Sequence, residues 1–205
     1  MSNEDFFENN CVSGAIGIVG GSSLIDKTIK KAQKNITSNE QDSLFSHVFL
    51  ISEKRIDGKW WVIESDLEIH KKQIKLGVQE NRIEKYFDVN AYPNVAILNF
   101  NLTPLQKEEV LKEALNVVCN RAKYSMREIF GMLYSLSNTT KRHRENKLSQ
   151  DNSFVCSSFV QHCYKTIDIN FNSSVSLKNI TPHDIYVTEI PHVTTEIIRH
   201  KTRTA

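Results

Sequence analysis

The sequence predicts an α+β domain in which strands and helices form separate layers. Strand-like apolar segments dominate the first half of the chain, and the dipeptide Asp57-Gly58 between two of them indicates an antiparallel hairpin. Helical periodicity follows from Thr103 onward, and two further strand-like segments lie near the C-terminus. Because strands, helices and strands follow one another in blocks, we expect the two kinds of element to segregate into layers.

Length and composition indicate one globular domain. The chain has 205 residues, of which 40% are hydrophobic and 24% are charged, so wholesale disorder is excluded. The formal net charge is +2. A charge balance this even gives no reason to expect a nucleic-acid partner.

The N-terminus and the lengths of the apolar runs indicate where in the cell the protein is expected. The chain starts with acidic residues and lacks the basic start of a secretory signal, and no apolar run reaches the roughly 20 residues that a membrane-spanning helix needs. We therefore expect a protein made in the cytoplasm without a transmembrane segment. Signal-less export as an effector and peripheral membrane contact stay open, as does the oligomeric state.

The first half of the chain is predicted to supply most of the sheet. Residues 1–13 are interpreted as a polar lead-in and 34–43 as a polar loop. Ser22-Ser23 is expected to cap a helix over 24–33. Strands are predicted over 15–19, 46–52, 60–64, 73–78 and 95–100, with a short helix over 82–87.

The second half is predicted to be mainly helical. Thr103 as N-cap, Pro104 at the first helical position and Gln106 in a capping box indicate a helix that ends near residue 121. The remaining predictions are helices over 126–136 and 154–165, an exposed polar insertion over 137–153, strands over 184–189 and 193–198, and a tail over 199–205. The basic run 141–144 in the insertion is interpreted as a solvated loop rather than a binding patch. These predicted elements together indicate a single domain over residues 14–198.

The four cysteines do not predict a disulfide scaffold or a metal site. They are Cys11, Cys119, Cys156 and Cys163, and they are too sparse for a disulfide framework. Two thiols seven residues apart on one helix lie roughly 10 Å from each other. Because zinc–sulfur bonds are about 2.3 Å long, that spacing is too wide for a shared zinc ion. Free thiols in a reducing compartment are expected.

Cys156 has a sequence setting that suits a nucleophile. Polar residues precede it and an amphipathic helix follows, which places the thiol in the first turn. Unpaired backbone N–H groups and the positive end of the helix dipole stabilise a thiolate there. The alternative is a buried cysteine that acts as a small hydrophobic residue.

His47 and Glu64 are candidates for the base and its orienting group. His47 opens one predicted strand and Glu64 closes its hairpin partner, so both lie away from the Asp57-Gly58 turn. An antiparallel ladder could then bring the carboxylate near the imidazole, as a nucleophile–base–orienter arrangement requires. The alternative is that both residues are strand ends without a catalytic role.

Three stretches together resemble the circularly permuted NlpC-like papain-fold cysteine hydrolases, the YiiX-like group. The first stretch is 14–19, followed by a Ser-rich loop, a helix and Ser46-His47-Val48. The second is Val62-Ile63-Glu64. The third is 155–160, which is followed by 181–185. The group has the order His, acidic residue, Cys, because permutation moves the Cys helix toward the C-terminus. The resemblance implies a permuted papain-like fold, with an antiparallel sheet or barrel packed against helices that include the Cys helix.

The resemblance also implies roles. Cys156 would be the nucleophile, His47 the general base and Glu64 the group that orients the imidazole, while Tyr124 and Ser157 would line the substrate pocket. The chain departs from the family where Ser158 replaces an acidic residue, where Phe49 replaces a small one, and in the long basic insertion.

The expected function is therefore that of a thiol hydrolase. It would cleave an amide (peptide, isopeptide or cell-wall peptide) or an acyl-ester bond through a thioacyl-enzyme, and it would need no metal or organic cofactor. The resemblance admits peptide and acyl-lipid substrates alike. Two alternatives stay open: a lipid-directed acyltransferase that uses the same triad, and a non-catalytic binding module that keeps the fold.

Overall fold

The protein is described from a computed structural model, which covers residues 1–37, 43–70, 73–122, 126–136, 142–144 and 153–199. The predicted pocket residue Tyr124 lies outside the described residues. So do most of the 137–153 insertion and the tail from 200 onward.

The described strands form one open, six-stranded antiparallel sheet, which confirms the α+β prediction. They are β1 (Ile16–Gly20), β2 (His47–Lys54), β3 (Trp60–His70), β4 (Gln73–Arg82), β5 (Asn94–Asn99) and β6 (Val193–Ile198). Their order across the sheet is β4-β3-β2-β1-β5-β6. The first four strands are therefore neighbours in sequence order, and β1 joins the β2–β4 meander to β5 and β6.

Six α-helices lie in the described part of the chain, with short 3-10 turns between elements. The helices are α1 (Asn3–Asn10), α2 (Leu24–Ala32), α3 (Pro104–Cys119), α4 (Met126–Leu136), α5 (Cys156–Lys165) and α6 (Pro182–Tyr186). The 3-10 turns span Gln33–Ile36, Ile83–Tyr86 and Leu177–Asn179. The predicted helix starts at Ser23 and Thr103 are confirmed: each hydroxyl accepts a bond from the backbone N–H three residues on.

Two predicted segments have the wrong conformation, and both are short helices. Residues 1–13 are not a polar lead-in, because Ser2 caps α1 and Phe6 and Phe7 are buried. The 184–189 segment is not a strand, because Thr181 accepts a bond from the Asp184 N–H at 3.2 Å and α6 starts there. In both segments a local N-cap decides the conformation, whereas the few apolar residues show no clear period.

The sheet buries apolar side chains on both faces. Along β2, Val48 and Leu50 belong to the core that α3 and α5 cover, whereas Phe49 and Ile51 belong to the core that α1 covers. This alternation follows from the period of two along a strand. Because each fully buried large apolar side chain contributes about 1.5–3 kcal/mol, both faces hold the sheet in place.

The described part of the basic insertion is anchored rather than solvated. Arg142 is buried and pairs with the Asp184 carboxylate of α6, and its carbonyl oxygen accepts a bond from the Ser176 N–H at 3.0 Å. The expectation of a solvated run is therefore wrong for Arg142. It holds for the neighbouring His143 and Arg144, which are exposed.

Candidate functional site

The β2–β3 hairpin places His47 and Glu64 together, as the sequence predicted. Leu50 pairs with Ile63 and Ile51 with Val62, so His47 and Glu64 lie on the same face, away from the turn. The turn itself contains Gly58 at φ 73°, a conformation that favours glycine. The two strands therefore fix the backbones of both residues.

The side chains of His47, Glu64 and Cys156 meet. The Nε2 atom of His47 lies 2.6 Å from Oε2 of Glu64, and the Cys156 thiol lies close enough to the imidazole to raise its pKa. Because Nε2 is engaged by Glu64, Nδ1 is the ring nitrogen left for the sulfur. Glu64 is fully buried, and the His47 side chain is 14% exposed. The imidazole thus lies between a thiol and a carboxylate.

Cys156 lies in the first turn of α5, as predicted, although the helix begins at Cys156 rather than at residue 154. The hydroxyl of Ser158 accepts a bond from the Val155 N–H and donates to the Val155 carbonyl oxygen, both at 3.0 Å, and so closes the first turn. The thiol is partly buried. The first turn of a helix supplies backbone N–H groups without helical partners, and these favour negative charge on sulfur or on a nearby oxyanion. Ser158 therefore has a capping role in the first turn of α5.

The environment of His47 favours the imidazolium. Burial by itself lowers the pKa of His47, but the charge and hydrogen bond of Cys156 and the bonded carboxylate of Glu64 outweigh it and raise the pKa well above its ordinary value. A protonated imidazole beside the sulfur is the partner that a thiolate needs.

Glu64 is held by four hydrogen-bond donors. Besides His47, Oε1 accepts from Asn81 Nδ2 at 2.7 Å and from Lys85 Nζ at 3.0 Å, and Oε2 accepts from the Tyr86 hydroxyl. Burial raises the pKa of Glu64, but the His47 bond and the Lys85 charge hold it well below its usual range. The carboxylate is ionised and fixed in orientation.

Three supports of the site, Asn81, Lys85 and Tyr86, were not predicted from the sequence. Asn81 lies opposite Val62 and therefore shares a face with Glu64, but this depends on a β4 strand that runs past the predicted end at residue 78. Lys85 and Tyr86 lie in the segment predicted only as a short helix. A β3–β4 register argument would have found Asn81, whereas no local signal marks Lys85.

Packing behind the site depends on a glycine. The Tyr86 ring stacks on Phe49, with centroids 4.5 Å apart and planes 5° from parallel. Phe49 lies opposite Gly17 of β1, and a Cβ atom at Gly17 would lie 2.0 Å from Phe49 Cε2. The absent side chain at position 17 thus makes room for the large residue that departs from the family pattern.

Ser157, an expected pocket residue, lies inside the protein next to Cys156. Its side chain is fully buried, and its hydroxyl donates to the Ile180 carbonyl oxygen at 2.6 Å. This contact joins α5 to the segment before α6. Tyr124, the other expected pocket residue, lies outside the described residues.

A groove of about 610 Å³ lies elsewhere on the described surface. It is lined by 170–174, Asp184 and 187–191, and none of His47, Glu64 and Cys156 contributes to it. Among the described residues, no group of three or more His, Cys, Asp or Glu side chains is arranged to hold a metal ion. No described helix is long and apolar enough to cross a membrane.

Comparison with solved structures supports the fold. The chain is similar to the crystal structure described as metalloprotein yiiX from Escherichia coli O157:H7, DUF1105, with a TM-score of 0.56. The sequence identity is 12%, and the match covers 92% of this chain and 97% of that chain. No protein-family model matches the chain, and no curated protein matches it. At this identity the similarity concerns the fold, which is YiiX-like.

Proposed function

We propose that Cys156, His47 and Glu64 form the catalytic triad of a cysteine hydrolase with a permuted papain-like fold. The observation that carries this proposal is the placement of the His47 imidazole between the Glu64 carboxylate, at 2.6 Å, and the Cys156 thiol at a helix N-terminus. A base that lies between a nucleophile and an orienting carboxylate is the central feature of such a triad.

In the acylation step, the Cys156 thiolate attacks a carbonyl carbon, and a C–S bond forms as the carbonyl electrons move to oxygen. The N–H groups at the start of α5 stabilise that oxyanion. The His47 imidazolium gives its proton to the leaving nitrogen or oxygen as the C–N or C–O bond breaks. The products are a thioester on Cys156 and a neutral imidazole.

In the second step, neutral His47 takes a proton from water, whose oxygen attacks the thioester carbon. Collapse breaks the C–S bond, releases the carboxylic acid and restores the thiolate–imidazolium pair. Throughout both steps, Glu64 keeps the ring orientation fixed because its carboxylate is held by four donors.

A metal does not enter this mechanism, although the similar solved structure is described as that of a metalloprotein. The described residues hold no group of three or more His, Cys, Asp or Glu side chains arranged for a metal, and at the proposed triad His47 Nε2 and both Glu64 oxygens are already hydrogen-bonded. A metal would have to displace those donors. We therefore derive the chemistry from the thiol.

Exposed apolar residues beside the site favour an acyl-lipid substrate as a second candidate, with either hydrolysis or acyl transfer. Ser46, the neighbour of His47, donates to Asp26 Oδ1 at 2.7 Å and so ties the start of α2 to the site. The first two residues of that helix, Leu24 and Ile25, are exposed, Leu24 at 81%. Exposed aliphatic side chains of this kind can insert into a lipid surface.

Helix α4 adds a second exposed apolar pair near Cys156. Its inner residues Ile129 and Met132 pack on Val155, which precedes Cys156, while Phe130 and Tyr134 are exposed on its outer surface. Substitution of Leu24 and Phe130 by Asp should reduce cosedimentation with anionic phospholipid vesicles. The matched control is Leu105→Asp, an exposed apolar position on α3. Equal loss in the control, or no vesicle binding by the wild type, would remove this candidate.

Trapping of the thioacyl-enzyme tests the hydrolase proposal directly. Incubation with activated amide and acyl-ester substrates should add the acyl mass to Cys156, as mapped by mass spectrometry. Cys156→Ala should lose this adduct, whereas Cys119→Ser, which removes an exposed thiol, should keep it. Acylation spread over several cysteines, or none on Cys156 with any substrate, would favour a binding module.

A further inference from the structure

We infer that the partly buried Asp66–Lys85 pair positions Glu64 and sets the protonation of His47 through it. This inference rests on the proposed function, because it assigns two positioning residues to the same triad. The Lys85 ammonium bonds Glu64 Oε1 at 3.0 Å and also pairs with Asp66. Both acids lie on one face of β3, two residues apart.

The two carboxylate oxygens of Glu64 accept hydrogen bonds from different side chains. Asn81 and Lys85 bond Oε1, while His47 and Tyr86 bond Oε2. Rotation of the carboxylate would break bonds at both oxygens. Lys85 therefore holds Oε2 toward the imidazole without touching the reacting atoms.

Glu64 and Asp66 carry two negative charges and Lys85 one positive charge, so a protonated His47 neutralises these three groups. The Cys156 thiolate of the proposed mechanism adds one more negative charge beside the imidazole. Burial lowers the pKa of Lys85, but the Glu64 and Asp66 carboxylates raise it above its ordinary value, so the ammonium persists. Removal of either Asp66 or Lys85 thus changes the net charge that faces the imidazole.

The groups that face this cluster come from several elements. They are Cys156 of α5, Glu64 and Asp66 of β3, Lys85 and Tyr86 of the 3-10 turn, Tyr92 of the following loop and Asp26 of α2. Burial raises the pKa of both tyrosines, so they stay neutral. Among them, Asp66 and Lys85 are charged groups that lie next to Glu64 and do not contact His47 in the described hydrogen bonds.

The test is the titration of His47 by NMR on protein with ¹⁵N-labelled histidine, with the signal assigned from His47→Ala. Lys85→Met removes the cation that partly neutralises Glu64 and Asp66. The two carboxylates then favour the imidazolium more strongly, so the His47 midpoint should rise by about half to one pH unit. Asp66→Asn should lower it by a similar amount. The double variant restores the balance and should return the midpoint close to the wild-type value.

Two further variants separate a charge effect from loss of structure. Lys85→Arg keeps the cation and should restore the wild-type midpoint. Lys59→Met removes a lysine from the exposed pair with Glu84 and should leave the midpoint unchanged. Shifts of the same sign in Lys85→Met and Asp66→Asn, or no shift in Asp66→Asn, would overturn the inference.

Cys156 alkylation in the same variants distinguishes this inference from the proposed function. If Lys85→Met and Asp66→Asn shift the His47 midpoint in opposite directions while Cys156 is unreactive, the role of Asp66 and Lys85 is supported and the proposed hydrolase is contradicted. If Cys156 is reactive but neither variant shifts the His47 midpoint, the proposed hydrolase stands and the role of Asp66 and Lys85 is overturned.

Discussion

At the residue scale, the site depends on one imidazole that two groups favour in its protonated form. The His47 imidazole hydrogen-bonds Glu64 and interacts with the Cys156 thiol. Both interactions raise its pKa, although burial lowers it. The protein has a second histidine–carboxylate pair, His162 with Glu113 at 2.8 Å, in which both side chains are more exposed. That pair provides a control for each substitution at the site.

His47→Ala should slow iodoacetamide alkylation of Cys156 at pH 6 by at least about tenfold. Without the imidazolium, the thiolate fraction near neutral pH approaches that of an ordinary cysteine, which ionises at about 8.5. Rates measured by mass spectrometry of the Cys156 peptide check this. His162→Ala should leave the rate unchanged, and an equal rate in His47→Ala would disprove the pairing.

Glu64→Ala should cost about 3–5 kcal/mol of unfolding free energy, because it leaves the His47 imidazolium and the Tyr86 and Asn81 donors without their carboxylate acceptor. Urea unfolding followed by circular dichroism measures this loss. Glu113→Ala removes the acid of the partly exposed pair and should cost no more than about 1 kcal/mol. Similar costs in the two variants would mean that the Glu64 network is not a stabilising unit.

At the element scale, the sheet supports the site through the Gly17–Phe49–Tyr86 stack. Gly17→Ala places a Cβ against the Phe49 ring, which stacks on the tyrosine that bonds Glu64. We expect a loss of about 1–3 kcal/mol of stability together with slower Cys156 alkylation. Urea unfolding and the alkylation rate check the two effects.

Gly58→Ala is the matched control for Gly17→Ala. It strains the hairpin turn at φ 73° but meets no atoms within 4 Å, so it should lower stability without changing the alkylation rate. A normal rate in Gly17→Ala would show that the stack does not position the triad.

The elements also show what sequence reasoning could and could not provide. Helix α3 was predictable because Thr103, Pro104 and Gln106 form a complete start signal before a long periodic segment. Helix α1 was not, because two phenylalanines in a short polar segment show no period. His47 and Cys156 were predictable from a strand start and a helix start. The sequence indicates a strand end at Glu64, but β3 continues to His70, and the order of the three residues is what the resemblance implies.

The residues that hold Glu64 could be identified only from the three-dimensional structure. Asn81 and Lys85 reach Glu64 through the β3–β4 register and the turn that follows it. Arg142 was misjudged for a similar reason: its partner Asp184 lies 42 residues away along the chain. Long-range ion pairs of this kind leave no local pattern in a single sequence.

At the scale of the whole molecule, stability should depend on pH through His47 and Glu64. The folded pKa of Glu64 is lowered, so its contribution is present above the ordinary value of 4.5 and is lost as pH falls through the folded pKa. The folded pKa of His47 is raised, so its contribution is complete below 6.5 and is lost as pH rises through the folded pKa.

The two contributions overlap fully between pH 4.5 and 6.5. The difference in unfolding free energy between wild type and His47→Ala should therefore be largest below pH 6.5 and decline as the pH rises. Urea unfolding at a series of pH values measures that difference. A difference that grows with pH would contradict the raised pKa of His47.

An activated thiolate at Cys156 underlies the whole proposed mechanism, and iodoacetamide labelling of the native protein across pH 4 to 9 detects it, with the modified cysteines mapped by mass spectrometry. We expect fast and selective labelling of the partly buried Cys156 below pH 7, ahead of the exposed Cys119. Slow labelling of Cys156, or labelling of Cys119 first at every pH, would show that Cys156 carries no activated thiolate.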